Sequence, residues 1–124
     1  MAARVLIADD EPNIVLSLEF LMQASGYQVR TVGDGQEALE AVRAFRPDLV
    51  LLDVMMPTRN GYEVCRAIRE DPALTATKVV LLTAKGRDSD AEKGLALGAD
   101  AYVTKPFSTR DLVAQVRALL GDRA

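Results

Sequence analysis

The chain has 124 residues, 49% apolar and 27% charged, with a formal net charge of −3; that is enough for one buried core and too little for two comfortable domains. Its Lys and Arg residues are scattered with no basic run, and no apolar stretch approaches membrane-spanning length, which argues against direct nucleic-acid binding and against a membrane anchor. The opening MAARVLIADDEP breaks its apolar run at Asp9 and lacks a secretory h-region, so a cytoplasmic location is expected, and a lone cysteine, Cys65, excludes an intramolecular disulfide and reads as core packing.

In chain order, Arg4 to Ala8 is the first predicted strand, and it runs into Asp9, Asp10 and Glu11. Pro12 suits the first turn of a helix whose buried face is Ile14, Leu18 and Leu21, and Gly26 suits the left-handed residue that ends it. Gln28 to Val32 is the second strand; Asp34 with Glu37 then has capping-box spacing ahead of Ala38, Leu39 and Val42. Leu49 to Leu52 is continuously apolar, as expected of a central strand covered by helices on both faces, and Asp53 follows it. A third helical segment carries Cys65. Lys78 to Leu82 is the fourth strand, ending at Thr83, and Ser89 with Glu92 fits a capping box for the fourth helix. Ala101 to Thr104 leads into Lys105; Ser108 caps and Gly121 ends the last helix, whose buried face is Leu112, Val116 and Leu119. Such alternation predicts an α/β fold of βαβ units around a doubly wound parallel sheet, with helices on two faces. With no repeat, low-complexity tract or long linker, residues 1–124 read as a single domain.

Open α/β sheets bind ligands at the carboxyl ends of their strands, and there this sequence is consistently polar. In the common doubly wound orders the first and third strands are neighbours, so Asp9, Asp10 and Asp53 are expected to crowd together. Two unit charges about 4 Å apart repel by roughly 4 kcal/mol at an effective dielectric near 20, so such a cluster calls for a cation or a proton. All the available donors are hard oxygens and the chain has no histidine, which favours magnesium, manganese or calcium over zinc or copper.

Each residue alone has a plainer explanation. Acids before a helix favour its dipole, Asp53 can initiate a turn, Thr83 can be a β-former, and Lys105 can be a solvated charge. Their arrival at one sheet edge, in the chemistry that phosphoryl transfer requires, favours a single site. The chain resembles the receiver domains of two-component response regulators over essentially its whole length. The marks are Asp9-Asp10; Asp53-Val54-Met55-Met56-Pro57 followed by Asn60-Gly61; Thr83-Ala84; and Lys105-Pro106-Phe107.

The resemblance implies a flavodoxin-like sheet of order 2-1-3-4-5 with five helices, and phosphorylation of Asp53. It implies a metal, Mg2+ or alternatively Mn2+, held by Asp10, Asp53 and the main-chain carbonyl of Met55, with Asp9 acting through a metal-bound water. It further implies that Lys105 neutralises the phosphoryl oxygens, that Thr83 follows them inward, that Tyr102 fills the space Thr83 leaves, and that Lys105-Pro106 is a cis peptide. Tyr102 also has the simpler reading of a half-buried packing aromatic. By the same analogy Met55 and Lys85 flank the phosphoryl group, and a long-lived phospho-aspartate is expected.

Without histidine or an ATP-binding glycine loop the chain cannot be its own donor, so a histidine kinase, a phosphotransfer protein or a small acyl phosphate is implied. The fourth and fifth helices with the fifth strand are the expected target face. Ala101 and Gln115 stand where winged-helix members of the family use an Asp and an Arg in dimer salt bridges, so a monomer or weak dimer is expected, as a single-domain regulator. Three rivals fare worse. A phosphohydrolase of the haloacid dehalogenase type needs an acid/base two residues after its nucleophile, where Met55 stands; a flavodoxin-like cofactor binder needs a glycine-rich turn where Asp9-Asp10-Glu11 stands; and a degenerate receiver would have lost an acid or the lysine.

Overall fold

The structure, a computed structural model, describes residues 2–84 and 88–121. Five strands, β1 (Arg4–Ala8), β2 (Gln28–Val32), β3 (Leu49–Asp53), β4 (Lys78–Ala84) and β5 (Ala101–Lys105), alternate with five helices, α1 (Pro12–Ala24), α2 (Gly35–Phe45), α3 (Gly61–Glu70), α4 (Asp88–Ala96) and α5 (Thr109–Leu120). All strand pairs are parallel and the order is β2-β1-β3-β4-β5. The expected α/β class, strand order and helix number are therefore those observed. A 3-10 turn, Pro72–Leu74, capped by the Asp71 carboxylate, was not anticipated.

Strand alternation sorts the core into two layers. Val5, Ile7, Leu49, Leu51, Val80, Leu82 and Val103 point towards α1 and α5, where Leu18, Met22, Leu112 and Val116 meet them. Leu6, Ala8, Val50, Leu52, Val79 and Leu81 point to the opposite side, against Ala38, Val42, Val64, Cys65 and Ile68 of α2 and α3. β3 is buried at all five positions, as a continuously apolar strand between two helix layers must be. Cys65 is fully buried, as expected, and desolvation raises its thiol above the ordinary value.

The helix punctuation agrees in part. Pro12 begins α1, and Gly26 follows its end with φ of +93°. The Asp34 carboxylate accepts from Glu37 N–H at 2.8 Å, but the Glu37 carboxylate reaches back to Gly33 N–H, one residue before the position a capping box uses. Ser108 caps α5 and Gly121 follows it. α4 already begins at Asp88, so Ser89 is its second residue and not its cap. A complete capping box instead opens α3, with Asn60 and Glu63 satisfying each other's backbone N–H groups.

Three strands run further than the sequence pattern predicts: β3 includes Asp53, β4 includes Thr83 and Ala84, and β5 includes Lys105. The reason is that ladder hydrogen bonds continue past the last apolar residue. Asp53 stands opposite Leu82, Thr83 opposite Thr104, and Ala84 opposite Lys105. Asp53, Thr83 and Lys105 are thus held by sheet backbone and not by loop.

Candidate functional site

The register brings the acids together. β1 and β3 pair from Val5 with Leu49 to Ala8 with Leu52, so one further step sets Asp9 beside Asp53. Asp9 remains tied to the sheet by its N–H to the Val32 carbonyl at 3.2 Å. Carboxylate oxygens of Asp9, Asp10 and Asp53 lie within 4.8 Å of one another. Asp9 and Asp53 are buried, whereas Asp10 is exposed at the rim.

Lys105 comes from the far end of β5 to complete the cluster. Its ammonium donates to Asp9 Oδ2 at 2.8 Å and stands 3.4 Å from Asp53 Oδ2. Asp9 accepts from the Glu11 backbone through its other oxygen, and Asp53 Oδ1 accepts from Met55 N–H at 3.2 Å. Burial above all, and then the Asp9 charge, raise the Asp53 carboxyl from its ordinary 3.8 to about 6, against the lowering influence of Lys105 and the Met55 N–H. For Lys105, burial favours the neutral amine, but the hydrogen bond it donates to Asp9 and the charges of Asp53 and Asp9 outweigh it and hold the ammonium above its ordinary value. One lysine against this group of acids leaves excess negative charge.

That imbalance, with an all-oxygen donor set open to solvent at Asp10, fits a hard divalent cation of the magnesium type. The same alternation that sorts the core divides the site. Asp53 and Lys105 keep step with the residues facing α1 and α5, whereas Thr83 and Tyr102 keep step with Leu81 on the other face. Thr83 is buried, and Tyr102 is 41% exposed, beside Leu95 and Phe107 in a groove between α4 and α5. Lys105-Pro106 is a cis peptide, as the resemblance implied. Lys85 lies outside the described residues.

The chain matches the response regulator receiver domain family over residues 5–117. It belongs to that family. It is 47% identical over 120 residues, 97% of its length, to the DNA-binding response regulator MtrA of Mycolicibacterium smegmatis, and it spans about half (51%) of that protein. Among solved structures, the chemotaxis response regulator CheY4 of Vibrio cholerae superposes with a TM-score of 0.90 at 32% identity, covering 97% of this chain and 100% of that one. The receiver domain of the sensor histidine kinase PA1611 from Pseudomonas aeruginosa, which holds a magnesium ion in its active site cleft, gives 0.89 at 28% identity, covering 98% and 100%. As a receiver domain, the chain is a signalling switch of two-component systems, and no helix among its described residues is long and apolar enough to cross a membrane.

The sequence offers a turn after Asp53, but it does not disclose how the Met55 to Asn60 segment of this receiver is held. Its Thr58 has φ of +66°, and its backbone is bound to the start of α2. Nothing in the residue types announces this, because left-handed backbone is expected at Gly or Asn and here falls on a β-branched residue.

Proposed function

We propose that Asp53 is the phosphoacceptor of this receiver, in a magnesium-dependent reaction, and that Thr83 and Tyr102 carry the change to the α4, β5 and α5 face. The observation supporting this most directly is the placement of Asp53: a buried carboxylate at a strand end, crowded by Asp9 and Asp10 and faced by the Lys105 ammonium. Asp10, Asp53 and the Met55 carbonyl would hold the cation, with Asp9 behind them. The cation supplies positive charge next to the transferred group.

An Asp53 oxygen attacks the phosphorus of a phosphohistidine, the phosphorus–nitrogen bond breaks, and the departing imidazole nitrogen regains its electron pair. Lys105, already 3.4 Å from Asp53, neutralises charge on the phosphoryl oxygens. Those oxygens then need donors, and the Thr83 hydroxyl at the next strand end is the one placed to swing towards them. Its departure opens space on the face that Tyr102 shares, into which the exposed ring turns. With Met55 two residues after Asp53, no acid/base stands there to drive turnover, so the chain catalyses only its own phosphorylation and dephosphorylation. The partners are a kinase or phosphotransfer protein as donor and a protein target at the α4, β5 and α5 face.

The test is intact mass after incubation with acetyl phosphate. Wild type should gain one phosphoryl group with magnesium and none in chelator, and reductive trapping should place it on Asp53. Label on any other residue would overturn the assignment.

The metal assignment has its own check. Magnesium binding only the folded state stabilises it by about 1.4 kcal/mol at ten times its dissociation constant, a rise of several degrees in melting temperature. Asp10→Ala should abolish most of that rise while leaving the chelator-treated protein at least as stable, because a repelling charge is gone. An unchanged magnesium response in Asp10→Ala would remove Asp10 from the metal site.

A further inference from the structure

The turn joining β3 to α3 is held at both ends. At its far end Gly61 N–H donates to the Val54 carbonyl at 2.9 Å. In the middle, the N-terminus of α2 grips it: Gly35 N–H donates to the Pro57 carbonyl at 3.1 Å, and Gln36 N–H donates to the Thr58 hydroxyl oxygen at 3.0 Å. The Thr58 hydroxyl in turn donates to the Asp34 carboxylate at 3.3 Å, and Arg59 Nε donates to the Gln36 side-chain carbonyl at 3.1 Å. These bonds use up N–H groups that the first turn of α2 would otherwise leave to water. A Cβ on Gly35 would collide with the Arg59 carbonyl, so only glycine permits this approach.

The cost of the arrangement falls on Thr58. Arg59 N–H closes on the Pro57 carbonyl at 2.8 Å across Thr58, whose φ is +66°, the strained hand of a three-residue turn. Gly or Asn would adopt that backbone more cheaply, and Thr58 is exposed, so core packing does not select it. What threonine contributes is the hydroxyl that joins Gln36 N–H to Asp34.

We propose that Thr58 is a positioning residue: its hydroxyl latches the Met55–Arg59 turn to the N-terminus of α2 and so presets the Met55 carbonyl for the cation. This rests on the metal site proposed above. Without the hydroxyl the turn keeps only its Gly35–Pro57, Arg59–Gln36 and Gly61–Val54 bonds, and the looser turn must be ordered further when the cation binds, which weakens affinity without touching a ligand.

The test is magnesium affinity by titration calorimetry, read beside the urea midpoint of the chelator-treated protein. Thr58→Ala should weaken magnesium binding about threefold to tenfold, the scale of one or two lost hydrogen bonds, and Thr58→Ser should restore it to within about twofold. Since Thr58→Ala leaves the carboxylates in place, a merely structural role would shift the midpoint and not the affinity. An unchanged affinity in Thr58→Ala, or a loss in Thr58→Ser equal to that in Thr58→Ala, overturns the latch. Uptake by wild type and none by Asp10→Ala upholds the metal site independently, so that the latch alone fails in those cases; no uptake by wild type overturns both.

Discussion

Asp53→Asn should lower phosphorylation by acetyl phosphate to background, below about a hundredth of wild type, a barrier increase of at least about 2.7 kcal/mol, while the chelator-treated protein becomes more stable at neutral pH. Asparagine matches aspartate in shape and still offers an acceptor to Met55 N–H, so the packing at the end of β3 is kept. It has no anionic oxygen with which to attack phosphorus. The stability gain comes from charge. The Asp53 carboxyl stands at about 6 in the folded protein against an ordinary 3.8, chiefly through burial and then through Asp9. Between those values the folded state holds a proton that the unfolded state has lost, so folding grows less favourable as pH rises. The metal-free wild type should therefore be most stable, in respect of this group, below pH 3.8, and should lose that contribution progressively as pH rises through about 6. Urea midpoints in chelator across that range should fall for wild type and stay flatter for Asp53→Asn. Parallel curves would mean that Asp53 carries no such burden. Added magnesium should restore the wild type more than the variant, because the strain that the cation relieves has been removed in the variant.

Gly61→Ala should destabilise the fold by about 2 kcal/mol, the scale of an overpacked contact that must displace backbone, and should slow phosphorylation with it. A Cβ on Gly61 would collide with the Asp53 carbonyl and lie 2.8 Å from Val54 Cα. Neither can yield easily. β3 is locked between two neighbours, and Val54 is held from both sides, by its N–H to the Leu82 carbonyl and by Gly61 N–H to its own carbonyl. Relief must come from moving α3 or the end of β3, and the latter carries Asp53. Urea denaturation measures the first effect and the phosphorylation rate the second. A variant within about 0.5 kcal/mol of wild type, the usual range of harmless surface changes, would show that the loop yields elsewhere.

The identity of the elements was legible because their patterns are local. The continuous apolar run Leu49 to Leu52 implies burial on two faces, and the spacing of Leu112, Val116 and Leu119 implies one buried helix stripe. The site was legible for a topological reason. Every right-handed βαβ crossover returns the next parallel strand in the same direction, so Asp9, Asp53, Thr83 and Lys105, each following an apolar run, must emerge at one edge. No distance is needed for that conclusion.

Distances and partners were decided only by the folded chain. The ladder extends β3, β4 and β5 beyond their apolar residues, because backbone pairing does not depend on side-chain polarity. Lys105 lies closer to Asp9 than to Asp53, a choice between two carboxylates of the same kind that spacing along the chain cannot make. Asp34 was readable as a helix cap from its three-residue spacing to Glu37, whereas its second partner, the Thr58 hydroxyl, is 24 residues away and the strained φ at Thr58 has no signature in residue type. The sequence by itself determined which residues reach the phosphoacceptor edge, since periodicity and strand direction are local properties. Only the tertiary structure decided how the β3 to α3 turn is held there, since that depends on backbone groups of α2 and the loop meeting at a separation no local pattern encodes.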